Sequence, residues 1–259
     1  MDALAALETF DPGPLAALYR PLTVGDWQLS RIPFSDIPCR GYWSPPRAVS
    51  GLLVLTLRGE TWMSLMPVQF EGLQLAADCA RGEVVLFGLG LGWLAALCAV
   101  RAEVDCVTVV ELDRGLIELH RELALFERLP GAAGAKVRLV EGDALDWRPD
   151  GPVDLLQADI WQPLVGADRL PEVRRMQANV AARTIHFWGQ ELEIARHAAA
   201  AGRRLDDAGI AATVAGFGLP LAGPELPGYA ARVTGAAANW MAGHWLPDTP
   251  LPVDLAPPS

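Results

Sequence analysis

"GEVVLFGLGLGWLAALCAV", residues 82–100, begins with an apolar run, Val84-Val85-Leu86-Phe87. It breaks into Gly88-Leu-Gly90-Leu-Gly92 and resumes in a helical rhythm. Three glycines at alternate positions are costly in conformational entropy. They mark either a tight turn in a packed core or a loop whose backbone must approach a ligand closely. A strand, a glycine loop and a helix in that order open a βαβ unit. The alternation continues: strands are expected over 83–87, 105–111, 136–141, 153–158 and 183–188, and helices over 92–101, 114–127, 169–182 and 190–207. The strands are nearly continuous apolar runs (VVLF, VTVVE, VDLLQA), the pattern of a parallel sheet covered on both faces. The expected fold class is α/β, a doubly wound, mostly parallel, Rossmann-like sheet.

Upstream of the loop the pattern differs. Residues 1–22 suggest a short amphipathic helix ended by Asp11-Pro12-Gly13-Pro14, then a helical turn near 15–19. Between Gly25 and Ser64, "DWQLSRIPF", "CRGYW" and "GLLVLTLRGETWMS" are short β-prone runs separated by Pro and Gly, which predicts a small antiparallel sheet or hairpin. "PVQFEGLQLAADCA" (67–80) reads as a helix with Pro67 in its first turn, where a missing N–H is harmless. Late in the chain, "GIAATVAGFGLPL" suggests one more strand and "YAARVTGAAANWMAGHW" a last helix. The expected organisation is an N-terminal helix and β-unit over 1–66, a cofactor-binding sheet domain over 67–246, and a Pro-rich tail over 247–259.

Composition narrows the partners. With 31 acidic and 21 basic residues the formal charge is −10, which argues against a nucleic-acid surface. Arg174-Arg175 and Arg203-Arg204 read as solvated helix faces. The four cysteines (Cys39, Cys79, Cys98, Cys106) include no C-x-x-C pair and the four histidines no H-x-x-x-H pair, so neither a metal site nor a disulfide framework is expected. The start of the chain carries no secretory signal pattern, and no apolar run reaches the roughly eighteen residues needed to span a bilayer. A cytoplasmic protein with a small-molecule substrate, and no nucleic-acid or membrane partner, is expected; a homodimer stays open.

In a doubly wound sheet, ligands bind beyond the carboxyl ends of the strands at the switch point, where this loop lies. Dinucleotide enzymes favour G-x-G-x-x-G; here the spacing is G-x-G-x-G, with Trp93 where the last glycine would pack helix on strand. The second strand ends at Glu111, about 20 residues on, where a carboxylate can accept from both ribose hydroxyls and would repel a 2′-phosphate. "VRLVEGDALDW" places Asp143-Ala144 in a turn after the third strand, where a carboxylate can accept from an exocyclic amine such as that of adenine. "VDLLQADIWQP" ends the fourth strand with Asp159 on the same side. Singly, each acid reads equally as a turn or cap residue; together the four strand ends form a constellation.

The order G-x-G-x-G, V-V-E-L-D, E-G-D-A and the fourth-strand Asp resembles the class I S-adenosylmethionine-dependent methyltransferase superfamily. "VTVVELDRGLIELHRE" and "VRLVEGDALDW" look like its spermidine synthase branch, in which a small N-terminal β-unit precedes the sheet. The resemblance covers roughly residues 50–190. It implies an S-adenosylmethionine cofactor, with Gly88, Gly90 and Gly92 near the methionine part, Glu111 on the ribose, and Asp143 and Ala144 at the adenine. The branch's D-S-S-D-P type segment is here "DIWQP": Asp159 and Pro163 remain, but Gln162 replaces the second acid, and the upstream acidic and Tyr-His-Glu clusters have no counterpart in "GETWMSLMPVQFEGL". A cationic polyamine would lose its main anchors.

The expectation is therefore a methyltransferase acting on a small molecule. An aminopropyltransferase, a non-catalytic adenosyl-cofactor-binding protein and a dinucleotide oxidoreductase are the alternatives. Asp159 is the candidate base or substrate contact, equally readable as a loop-ordering residue; Asp154, at the opposite end of its strand, reads as structural. "TIHFWGQELE" places Trp188, Gln190 and Glu191 on the cleft side, with His186 either a proton acceptor or a buried hydrogen-bonded residue. Trp62, Trp93, Trp161 and Trp188 are candidates for an apolar substrate wall or a cation-binding surface, or are ordinary core aromatics, and Gln162 joins Trp62, Trp161 and Trp188 as a candidate substrate contact. "ETWMS" is expected to fold over the cofactor.

Overall fold

The computed structural model describes residues 7–33 and 37–241. Two sheets precede the first helix. Strands β1 (Leu22–Val24), β2 (Trp27–Ile32), β5 (Leu52–Leu57) and β6 (Glu60–Ser64) pair antiparallel in the order β1-β2-β5-β6, and β3 (Ile37–Cys39) pairs with β4 (Arg47–Val49). After helix α1 (Pro67–Cys79) come β7 (Gly82–Phe87), α2 (Trp93–Ala99), β8 (Val104–Glu111), α3 (Arg114–Leu123) and β9 (Val137–Glu141). Then follow β10 (Leu155–Ala158), α4 (Arg169–Val180), β11 (Thr184–Phe187), α5 (Gln190–Ala200), α6 (Asp207–Phe217) and α7 (Tyr229–Trp240).

Strands β7–β11 form one parallel sheet in the order β11-β10-β7-β8-β9. The chain winds outward from β7 through β8 to β9, then crosses to β10 and β11 on the other side. The switch point falls between β7 and β10, as a doubly wound sheet requires. The apolar runs are explained by β7: Val84 and Leu86 enter one core, Val85 and Phe87 the other. The first core also takes Trp27, Leu29, Leu53 and Leu55 of the four-stranded sheet, so the N-terminal strands and the α1–α3 side of the parallel sheet share one apolar interior.

At the switch point β7 and β10 leave little room. Asp159 N donates to Phe87 O at 2.9 Å and Gly88 N to Val110 O at 2.9 Å. Gly88 has φ +93°, and a Cβ there would lie far inside contact distance of the Asp159 carbonyl. Only glycine closes this corner. At the other end of β10, Asp154 Oδ2 accepts from Glu83 N at 3.0 Å and Arg183 lies 3.6 Å from its carboxylate, the structural role expected of it.

Several expectations are corrected. "GIAATVAGFGLPL" is mostly helix α6, started by the Asp206 side chain accepting from Gly209 N; one bridge, Ile185 with Leu221, is all that joins the sheet. The helix expected over 190–207 stops at Ala200, so Arg203 and Arg204 sit in a loop and not on a helix face. The helix expected over 114–127 ends at Leu123, with a short 3-10 turn at Phe126–Arg128. Residues 7–13 are not helical, because Thr9 bridges to Ala48; the expected turn of helix follows as a 3-10 turn over Pro14–Leu18. The start of the first expected helix, the end of the last one with His244, and the tail over 247–259 lie outside the described residues. The four cysteines are free, and among the described residues no group of three or more His, Cys, Asp or Glu is placed to hold a metal. No helix among them is long and apolar enough to cross a membrane.

Gly88→Ala must strain both φ and the strand corner, and is expected to cost on the order of 3 kcal/mol. Gly131→Ala, at φ +63° but with open space around it, carries the φ term alone and should cost about 1 kcal/mol. Urea denaturation of the two variants checks this; equal losses would refute the crowding at Gly88.

Candidate functional site

The carboxyl ends of β7, β8, β9 and β10 open into one cavity of about 420 Å³, within the size range of small-molecule sites. It brings together Gly88, Gly90, Glu111, Asp143, Ala144 and Asp159. Trp62, Trp161, Gln162 and Trp188 border the same space, whereas Gly92 is not among its lining residues.

The glycine loop is held from several sides. Glu111 Oε2 accepts from Leu89 N at 2.9 Å and its Oε1 from Asp113 N at 2.8 Å, tying the loop after β7 to the turn after β8. Leu91 N donates to Met63 Sδ at 3.1 Å, and Tyr19 Oη donates to Leu91 O at 2.9 Å. His120 Nε2 donates to Gly90 O at 2.8 Å. A Cβ on Gly90 would strike Met63 Sδ, and one on Gly92 would lie 2.7 Å from His120 Cε1. Of the two readings of the alternate glycines, a packed turn and a ligand loop, packing accounts for Gly90 and Gly92, where the protein itself fills the space.

Asp113 caps α3, its Oδ1 accepting from Gly115 N at 2.7 Å and Leu116 N at 3.3 Å. Asp143 makes a similar turn, with Oδ1 accepting from Leu145 N at 2.9 Å, and remains exposed at the rim while Ala144 is buried. Asp159 is partly shielded. Burial pushes its carboxyl up to about 7, against the lowering influence of Arg169 and His186. Such a group exchanges a proton near neutral pH.

The aromatic candidates divide. Trp93 is core, 1% exposed, packed on Tyr19 and Phe70, although its edge reaches the cavity. Trp62, 40% exposed, stands at the mouth, edge-on to Trp27. Trp161 donates from Nε1 to Glu172 Oε2 at 2.6 Å, with the Arg169 guanidinium 4.0 Å from its ring centre. Trp188 stacks on Tyr42 at 5.7 Å. Gln162 Nε2 donates to Thr61 O at 3.5 Å, so the segment after β10 touches the N-terminal sheet, and "ETWMS" does lie over the cavity through Trp62 and Met63.

Gln190 and Glu191 are a correction. The left-handed Gly189 turns the chain, and both side chains are fully buried behind the cavity instead of facing it. His186 is the buried, hydrogen-bonded residue of the two readings: Nδ1 lies 2.7 Å from Gln157 Oε1 and Nε2 3.4 Å from Glu191 Oε1. Tyr229 Oη donates to the same Glu191 oxygen at 2.9 Å. Burial pushes the Glu191 carboxyl up, yet the bonds from His186 and Tyr229 hold it below its usual range. Sequence reasoning missed Gln157, which lines the cavity; period-two alternation from Asp159 points to it, since residues two apart share a strand face. It also missed Tyr19 and His120, for which no local pattern exists, and the contact of Met63 with the glycine loop.

No family model and no curated relative matches the sequence. Among solved structures, the chain is similar to the 23S rRNA methyltransferase ErmE at 18% identity and a TM-score of 0.35, over 45% of this chain and 44% of that one. It is similar to the glycopeptide N-methyltransferase MtfA complexed with S-adenosyl-L-homocysteine at 20% identity and a TM-score of 0.35, over 42% and 43%. A DhpI–SAH complex aligns at 22% identity and a TM-score of 0.31, over 41% and 48%. The match spans less than half the length of each of these three proteins.

Two buried groups give opposite pH slopes. Burial lowers His120 from 6.5 to about 4, and its Nδ1 has no hydrogen-bond partner among the described residues to stabilise a second proton. Between those values the unfolded imidazole takes up a proton that the folded one refuses, so stability rises with pH by up to about 1.4 kcal/mol per unit. Asp159, raised from 3.8 to about 7, retains a proton that the unfolded chain has released, so its contribution falls as pH rises across that window. Asp159→Asn is expected to expose the rise and His120→Gln the fall, read from urea midpoints at about pH 4.5 and 6.5. The same pH slope in both variants would refute the assignment.

Proposed function

We propose that this protein is a class I S-adenosylmethionine-dependent methyltransferase acting on a small molecule. The observation that carries the reading is the single cavity at the switch point, in which four successive strand ends contribute the glycine loop, Glu111, Asp143-Ala144 and Asp159. When bound, the cofactor supplies a methyl group on a positively charged sulfur, already activated for displacement. The residues fit it. Both Glu111 oxygens are oriented by backbone N–H groups, and each keeps a lone pair for a ribose hydroxyl. Asp143 and Ala144 take the adenine, and the loop faces the methionine part through Gly88 and Gly90, while Gly92 packs on His120 outside the cavity lining. Asp159 accepts the proton that the acceptor loses, and Trp62, Trp161, Gln162 and Trp188 position the acceptor and exclude water.

The alternatives are less well supported. A dinucleotide would place its pyrophosphate on loop N–H groups, but Gly88, Leu89, Leu91 and Gly92 already donate to Val110, Glu111, Met63 and Leu89. Kinship with the spermidine synthase branch rests on the sequence motifs and on the β-sheet that precedes α1. Aminopropyl transfer is disfavoured because Gln162, in place of the second acid, is a strut to Thr61.

Titration calorimetry tests the reading. S-adenosylhomocysteine should bind saturably and NAD should not. Glu111→Ala should weaken binding by about 1.5–3 kcal/mol, the value of hydrogen bonds to a charged acceptor. Asp159→Asn should leave that affinity unchanged. Absence of binding by any adenosyl sulfur ligand, in protein shown to be folded by circular dichroism, would overturn the proposal.

A further inference from the structure

The part of the cavity around Asp159 has an unusual charge pattern. Among the described residues no Lys, Arg or His lines any part of the cavity, whereas Glu111, Asp113, Asp143 and Asp159 all do. The Arg169 guanidinium, whose charge acts on Asp159, is 2% exposed; its Nη1 and Nη2 donate to the carbonyls of Trp188 and Pro163, behind the Trp161 ring, while Nε has no hydrogen-bond partner among the described residues. His186 is likewise turned to Gln157 and Glu191. On the proposed reading, Glu111 and Asp143 serve the cofactor, and Asp113 Oδ1 caps α3. Asp159 is then the carboxylate left for the acceptor.

Two indoles complete this end, and each is fixed from outside the cavity. Trp161 is anchored by Glu172 and Arg169, and Trp188 by Tyr42 and by the closeness of Gly72, where a Cβ would come within 3.0 Å of the ring. Rings held in this way are pre-organised surfaces for an apolar body and attract a cation over their faces. An anionic acceptor would meet the Asp159 carboxylate directly, whereas Arg169 and His186 act on this end only from behind the cavity lining.

We propose that the acceptor is a small apolar amine that enters as an ammonium ion, its apolar body against Trp161 and Trp188 and its nitrogen at Asp159. This rests on the methyltransferase reading. The ammonium gives one proton to the Asp159 carboxylate. The freed nitrogen pair forms the bond to the transferred carbon, while the carbon–sulfur pair stays on the sulfur. The methylated product leaves as an ammonium ion, and Asp159 returns its proton to water.

The test uses three probes of nearly equal shape, phenethylamine, 2-phenylethanol and phenylacetate, titrated by calorimetry into the full chain saturated with S-adenosylhomocysteine. Phenethylamine should bind at least about tenfold more tightly than the alcohol, and phenylacetate should not bind. Asp159→Asn should remove the preference for the amine while leaving the alcohol unchanged. Trp161→Leu should weaken amine and alcohol alike. Binding of phenylacetate as tight as that of the amine, an amine preference that survives Asp159→Asn, or no binding of any probe to the S-adenosylhomocysteine complex would each overturn the proposal. Should S-adenosylhomocysteine itself not bind, the methyltransferase reading fails, and the same titrations on the unliganded chain still decide whether this end selects amines.

Discussion

The Glu111 carboxylate holds the site together. One oxygen takes the N–H of Leu89 and the other that of Asp113, so the loop after β7 and the turn after β8 share one anion. Both turns are thereby set relative to the sheet, not merely to their own strands. Hydrogen bonds to an ionised acceptor are stronger than neutral ones, and a planar carboxylate with a donor on each oxygen has little freedom to rotate. The cost of ordering the side chain has then already been met during folding, before any ligand arrives.

Behind the cavity a second layer does the supporting. His186, Gln157, Glu191 and Tyr229 are buried and hydrogen-bonded to one another, and Arg169 ties the ends of β10 and β11 by reaching carbonyls on both sides. A buried polar cluster is stable only when its members find partners. Here Gly189 makes this arrangement geometrically possible. Its positive φ, and a direction where a Cβ would run into the Leu164 carbonyl, let α5 start at once and drive Gln190 and Glu191 inward.

What was legible in the sequence follows from locality. The parallel strands announced themselves because both faces are apolar, and the acids at their ends were readable because a strand end is a fixed address in a doubly wound sheet. The stretch "GIAATVAGFGLPL" misled because Ile, Val and Phe recur in it, while the decisive signal was Asp206, a helix cap just before it. Gly189 hid the inward turn of Glu191 in a short run that reads as a simple continuation of the strand face. Met63, Tyr19 and His120 reach the loop from three separate segments, at sequence distances of 28, 72 and 30 residues. Only Met63 lies in a stretch, "ETWMS", that the order of the chain marks; nothing near Tyr19 or His120 does so.

The way those segments crowd the glycine loop bears on descent. A Cβ at Gly88 meets the end of β10, and one at Gly92 meets His120, whether or not anything occupies the cavity. A lineage that lost its ligand altogether would still be under pressure to keep these glycines in order to fold. Retention of the G-x-G-x-G pattern in a diverged relative is thus a record of packing. Asp159 is the more informative position, because its side chain can change without removing a backbone hydrogen bond of the kind Glu111 makes to Leu89 and Asp113.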